Sequence, residues 1–198
     1  MKLLEDRILR DGKIKPGNVL KVDGFVNHQI DVPFISQIGR EFYRRFQNDG
    51  VTKILTIEAS GIGIACLAAE HFGVPVVFAK KSRTSNLSPD VYTAKVDSFT
   101  HGTTCDIVVS KEYLKKDDRI LIIDDFLALG NALMGLREIV LASGATLVGA
   151  GILIEKCFQP GGKMLREQGM RIESLARIAS MTDNDLVFIS DEDDDKTQ

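Results

Sequence analysis

Two adjacent carboxylates, Asp124 and Asp125, follow the apolar run Ile120-Leu-Ile-Ile123 and precede Phe126, Leu127 and a loop of mostly small residues, Ala128, Leu129, Gly130, Asn131 and Ala132. A short apolar run bounded by charge is how a strand buried on both faces of a parallel sheet looks. Open α/β sheets bind ligands outside the carboxyl ends of their strands. A loop that opens a helix offers backbone N–H groups and the positive end of a helix dipole to a phosphate. Carboxylates beside that loop accept hydrogen bonds from vicinal sugar hydroxyls, so the combination describes a site for a phosphorylated ribose. Either half alone is weak, since acids also end strands and small-residue loops also cap helices.

A second loop of the same kind, Glu58-Ala-Ser-Gly-Ile-Gly63, follows the strand-like run Lys53-Ile-Leu-Thr-Ile57. Glycines there permit close backbone approach and positive φ, and Ser60 and Gly61 are its chemically useful positions. Lys80, Lys81 and Arg83 begin a long polar segment, where they either neutralise an anion or form a solvated cluster at a strand end. Lys156 stands beside Glu155 and on its own reads as a surface lysine. His28, His71 and His101 lack metal-ligand spacing, and His71, at the end of an apolar helix, reads as packed or capping. The cysteines Cys66, Cys105 and Cys157 are an odd, scattered set, which argues against a disulfide framework or a zinc site and for buried or inert thiols. No residue type or spacing singles out a general base or a nucleophile.

The elements that must carry these loops alternate. Strand, loop and helix signals recur as 53–57, 58–63 and 64–71 with a stop at Gly73, then a strand over 74–78. They recur again as 119–124, 128–132 and 133–142 with a stop at Gly144, then a strand over 146–154. Two such units predict a doubly wound parallel sheet. The N-terminal part reads as a helix over 1–10, a strand over 18–22 and a helix over about 31–47. The C-terminal part reads as a helix over 163–168 and strands over 171–178 and 186–190. Residues 80–112 form a polar excursion with strand-like ends at 92–98 and 105–110, the pattern of a functional lid.

A chain of 198 residues, 44% hydrophobic and 27% charged, is a single globular domain rather than a disordered or fibrous one. From Thr182 onward there are seven acids and one lysine, so the net charge of −3 divides into about −6 on the tail and +3 on the body. That balance suits a small anionic substrate and falls far short of a nucleic-acid binder. No run is long and apolar enough to span a bilayer, and the charged start is unlike a signal peptide, so no membrane partner and a cytoplasmic location are expected.

The segment 120–132 resembles the phosphoribosyl-pyrophosphate (PRPP) signature of the type I phosphoribosyltransferases: four apolar residues, two acids, two apolar residues and a small-residue loop. The usual loop is Ala/Ser-Thr-Gly-Gly-Thr; here Leu129 and Ala132 replace threonines and Asn131 a glycine, which moves phosphate binding onto backbone amides. Three more segments extend the resemblance to the bacterial purine enzymes of that family: Leu3-Leu-Glu-Asp-Arg-Ile-Leu-Arg-Asp-Gly12, Leu20-Lys-Val-Asp-Gly-Phe-Val-Asn-His-Gln-Ile30 and Glu155-Lys-Cys-Phe-Gln-Pro-Gly-Gly162. It covers essentially the whole chain up to about Ser190.

The resemblance implies a type I phosphoribosyltransferase-like parallel sheet flanked by helices, with a core of about 35–155, a small hood from about 1–34 and 155–190, and an acidic tail at 191–198. It implies that Asp124 and Asp125 bind the ribose hydroxyls, that residues 128–132 cradle the 5′-phosphate, and that Ser60, Gly61, Lys80 and Lys81 face pyrophosphate. Leu20, Asn27 and Lys156 would contact a purine base, with Phe158 adding apolar or stacking contact. Xanthine carries carbonyls at C2 and C6, and Lys156 and the Asn27 amide supply the donors those need. The implied reaction is therefore transfer of 5-phosphoribosyl from PRPP to xanthine in purine salvage, by a cytoplasmic homodimer, with Mg²⁺ arriving on the pyrophosphate rather than in a dedicated protein site. Guanine or hypoxanthine as the base, and a purine- or PRPP-sensing regulator on the same fold, stay open.

Overall fold

The computed structural model describes residues 1–81, 90–98 and 103–189. Arg83, His101 and the acidic tail lie outside the described residues. The chain begins with α1 (Lys2–Asp11), a hairpin of β1 (Lys13–Lys15) and β2 (Val19–Lys21), a π-helical turn over Asp23–Asn27, and α2 (Val32–Phe46). There follow β3 (Lys53–Ile57), α3 (Ser60–Phe72), β4 (Val76–Ala79) and an arm of β5 (Val91–Ser98) with β6 (Thr103–Ser110). Then come β7 (Arg119–Leu127), α4 (Asn131–Ser143), β8 (Thr146–Lys156), α5 (Gly161–Glu167), β9 (Ile172–Met181) and β10 (Leu186–Phe188).

Alternation of side chains decides the layering. Along β7, Leu121 and Ile123 join the hydrophobic layer of α1, α2 and α3, whereas Ile120 and Ile122 join the layer of α4 and the β5–β6 arm. The run Ile120–Ile123, apolar at every position, is thus buried on both faces. Helix α2 forms where expected because Asp31 Oδ1 caps the Phe34 N–H at 3.2 Å and Pro33 enters the first turn. Its buried residues Phe34, Ile35, Ile38, Phe42 and Phe46 recur at helical spacing on one face.

The sheet order is β10-β9-β8-β7-β3-β4, parallel except for β10, which pairs antiparallel with β9. From β3 the chain steps outward to β4, and from β7 it steps the opposite way through β8 to β9. The direction reverses between β3 and β7, which makes that junction the topological switch point. Pairing of β3 with β7 stops at Leu55–Ile122, while β7 continues beside β8 to Leu127–Glu155. The two strands therefore separate at their carboxyl ends and open a crevice between the loops that follow them.

Three expectations are corrected. The strand does not end at Asp124 but carries both acids to Leu127, because β8 continues to pair with it. Helix α4 starts at Asn131, so Asn131 and Ala132 are its first turn rather than loop. The ends of the polar excursion are core: Ala94, Val96, Ile107 and Val109 are buried against α4. The N-terminal segment packs on the last two strands, as Leu186 of β10 joins Leu4, Ile8 and Leu20 in one layer and the N-terminal amine donates to the Leu175 carbonyl on β9.

Candidate active site

The crevice is lined by Glu58, Ala59, Ser60 and Gly61 after β3, by Asp124 and Asp125 and the following loop of β7, and by Lys81 and Lys156. Helices α3 and α4 both begin at this wall, so two positive dipole ends converge on one cavity. Gly130 holds the turn into α4 at φ 87°, a conformation that costs an L-residue roughly 1–2 kcal/mol, and this is why the loop carries a glycine there.

Asp124 is only 5% exposed. Its Oδ1 accepts the Asp125 N–H at 3.0 Å, Asp125 Oδ1 accepts the Phe126 N–H at 2.9 Å, and the Ser60 hydroxyl donates to the Asp125 carboxylate. Burial, then the neighbouring charge of Asp125, pushes the Asp124 carboxyl well above the usual carboxylate range, with Lys81 opposing. Burial also raises Asp125, against hydrogen bonds that favour its ionised form. Two adjacent carboxyls of this kind, Asp124 buried and Asp125 partly buried, titrate as a pair and retain a proton where exposed ones would both be ionised. Sugar hydroxyls and a cation would give that pair the donors and charge it lacks.

Gly61 lets α3 approach this pair. A Cβ there would lie 2.2 Å from Thr56 Oγ1 and 3.0 Å from Asp124 Oδ1. Neither Gly61 nor Gly63 uses the positive φ that glycine permits; both sit in the first turn of α3, and what they supply is the space for close approach. The Glu58–Ala59 peptide is cis.

The neighbouring lysines part company, since successive residues point to opposite faces. Lys81 lines the cavity and its N–H donates to Glu58 Oε1 at 2.6 Å. Lys80 bridges the Val108 backbone, and it lines a different hollow with Phe78 and Tyr113. Lys156 is half-buried: its Nζ donates to the Asn18 carbonyl at 2.7 Å, lies 5.6 Å from the centre of the Phe126 ring, and has its pKa lowered by burial.

Leu20, Asn27 and Phe158 do not line this cavity. Leu20 points inward from β2 and is 5% exposed in the core, Asn27 is exposed at the end of the π-helical turn, and Phe158 is exposed in the turn after β8. Sequence reasoning missed Glu58, which tethers Lys81, and Gln159, which lines the cavity three residues after Lys156. Position gave a signal in each case, one at a strand end before a glycine loop and one inside the segment around Lys156. Cys66 is exposed rather than buried, Cys105 lines the cavity, and burial raises the Cys157 thiol, which keeps it protonated. His71 is packed, its Nε2 lying 3.0 Å from the Ser36 carbonyl oxygen on α2.

A phosphoribosyl transferase domain model matches residues 30–168, the stretch that contains both loops and both acids. The chain belongs to the phosphoribosyl transferase family. Within that family, a xanthine phosphoribosyltransferase of Lachnoclostridium phytofermentans is 56% identical over 193 residues, covering 96% of this chain and all of that protein. A second xanthine phosphoribosyltransferase, from Ruminiclostridium cellulolyticum, is 56% identical over 188 residues, covering 95% of this chain and 99% of that one. Among solved structures, APRTase from Giardia lamblia complexed with 9-deazaadenine superposes with a TM-score of 0.76 over 88% of this chain and 97% of that chain, at 21% identity. Adenine phosphoribosyl transferase from Trypanosoma brucei does so at 0.74, over 89% and 80%, with 20% identity. These two likenesses establish the type I phosphoribosyltransferase fold.

Proposed function

We propose that this chain transfers the 5-phosphoribosyl group of PRPP to xanthine, giving xanthosine 5′-monophosphate and pyrophosphate, as a purine salvage enzyme. The observation that carries the reading is near-full-length identity of 56% to xanthine phosphoribosyltransferases, supported by two strand-to-helix loops that line one cavity at the switch point. The first turn of α4 and residues 128–130 would take the 5′-phosphate, and Asp124 and Asp125 the ribose hydroxyls. Residues 58–61 with Lys81 would take pyrophosphate. Lys80 faces another hollow and would act there only as part of the local positive field.

Lys156 is the donor best placed for a base carbonyl. Asn27 and Phe158 would join it from exposed segments, and Leu20 supports the hairpin from within the core. Departure of pyrophosphate leaves positive charge on the sugar, and Asp124 and Asp125, at the cavity wall, would stabilise it, so catalysis would be positioning and electrostatic stabilisation without a covalent nucleophile. Among the described residues no group of three or more His, Cys, Asp and Glu side chains could hold a metal ion. A divalent cation bound here would neutralise pyrophosphate, held by its oxygens, water and at most the carboxylates at the cavity wall.

The core of about 35–155 and a hood from about 1–34 and 155–190 divide these roles between sugar and base, and we read the working molecule as a cytoplasmic homodimer. Among the described residues no helix is long and apolar enough to cross a membrane. Steady-state kcat/KM with PRPP and each of xanthine, guanine, hypoxanthine and adenine tests the reading: xanthine ranks first, and any other base ahead of it, or no pyrophosphate release, overturns it.

A further inference from the structure

The loop after β7 is seated on a second stretch of backbone. Gly161, the first residue of α5, donates its N–H to the Ala128 carbonyl at 3.0 Å. A Cβ on Gly161 would stand 2.4 Å from that carbonyl oxygen and 2.5 Å from the Gly130 nitrogen, and a Cβ on Gly130 would meet Gly161 Cα at 3.2 Å. Two main chains are therefore in direct contact along residues 128–130.

Helix α5 is seven residues long, too short for its own hydrogen bonds to fix it. It is tied down by Leu165, fully buried in the core, and by Arg166, whose Nη1 and Nη2 donate to Glu155 Oε1 and Oε2 at 2.6 and 2.7 Å. Glu155 is 2% exposed, also accepts from the Ser174 hydroxyl, and sits on β8 directly across from Leu127 of β7. A Cβ on Gly162 would fall 2.0 Å from Glu155 Oε1, so that glycine makes room for the carboxylate just as Gly161 makes room for the loop. Contact runs without a gap from the sheet through Glu155, Arg166 and α5 to residues 128–130.

A buried ion pair is often no more stabilising than apolar residues of the same volume. What it adds is a fixed geometry, since a bidentate fork allows one orientation of its helix. We infer that the Glu155–Arg166 pair is a positioning element for the 5′-phosphate loop, holding α5 so that Gly161 keeps residues 128–130 in the shape that receives the phosphate. The inference rests on the reading of that loop given above.

Calorimetric binding of two probes to the full-length protein tests it without turnover. Ribose 5-phosphate reports the loop after β7, and inorganic pyrophosphate reports the loop after β3. Arg166→Met and Gly161→Ala weaken ribose 5-phosphate about tenfold or more and leave pyrophosphate within about twofold, because a loop misplaced by a fraction of an ångström loses its phosphate contacts. Arg166→Lys, which keeps the charge but not the fork, falls between wild type and Arg166→Met, and in turnover KM for PRPP rises by a larger factor than kcat falls. If Arg166→Met does not fold, Gly161→Ala and Arg166→Lys decide the question, since both leave Glu155 a cationic partner. Unchanged ribose 5-phosphate binding in a folded variant, or equal loss of both probes, overturns the inference while leaving the loop's role standing. Wild-type protein that does not bind ribose 5-phosphate overturns the reading of the loop itself.

Discussion

Replacing Gly61 with alanine tests whether α3 must touch the acidic pair. The new Cβ would lie 2.2 Å from Thr56 Oγ1, where ordinary contact begins at 3.4 Å, so more than an ångström of overlap has to be relieved. Thr56 cannot relieve it cheaply: it is fully buried on β3, and a β-branched side chain has few χ1 choices. Overpacking of this kind costs about 1–3 kcal/mol. At about 2–4 °C per kcal/mol for a chain of this size, Tm falls by roughly 2–12 °C. The alternative relief is retreat of α3, which withdraws the Ser60 hydroxyl from Asp125 and the helix end from the cavity, and kcat/KM for PRPP then drops by about tenfold or more. Thr56→Ala removes the obstructing hydroxyl, an atom that is buried without a hydrogen bond in any case. Thermal unfolding of both single variants and the double variant measures the coupling. The double variant recovers about 1 kcal/mol or more of the Gly61→Ala loss; effects that add within about 0.5 kcal/mol refute the steric argument.

Asp124→Asn removes a carboxyl that binds its proton more tightly folded than unfolded. Such a group contributes stability that is fully present below the unfolded pKa of about 3.9 and is lost as pH rises through the higher folded value. The Tm of the asparagine variant therefore gains on wild type as pH rises above about 4 while transfer falls, and a Tm difference that does not change with pH sinks the account of the pair. Lys156→Met keeps most of the volume and removes the charged donor, worth about 1.5–3 kcal/mol to a base carbonyl, so kcat/KM for xanthine falls about ten- to a hundredfold; equal retention for xanthine would remove Lys156 from base recognition.

What was legible in the sequence is what local pattern determines. The all-apolar run before Asp124 announced a two-face-buried strand, and the loops at 58–63 and 128–132 announced the strand-to-helix turns that line the cavity, because strand ends and helix starts leave their marks within a few residues. What was not legible depends on register and on contacts far apart in the chain. Lys80 and Lys81 are equivalent as neighbours in sequence, and only pairing of Lys80 with Val108 decides which of them faces the cavity. Leu20 is one apolar residue in a short strand, and its inward direction follows from hairpin register with Ile14. Likewise Gly161 and Gly162 read as a turn, and nothing local shows that one meets the loop 31 residues back while the other makes room for a buried carboxylate.

The charges at the site explain why a body of only about +3 suffices for a substrate as anionic as the one proposed. The attraction comes from two helix starts on either side of the crevice, α3 and α4, with Lys81 and Lys156 at its rim, and such fields act within a turn's length whatever the total charge. Between them sit the buried Asp124 and the partly buried Asp125, the least favourable neighbours for an anion unless they carry a proton or a cation compensates them. The order of charges across the crevice, positive, negative, positive, matches a sugar flanked by phosphate on one side and pyrophosphate on the other. Under the proposed function, a ligand with only one of the two anionic ends would fill only one positive end, so the complete sugar pyrophosphate would bind more tightly than either fragment alone.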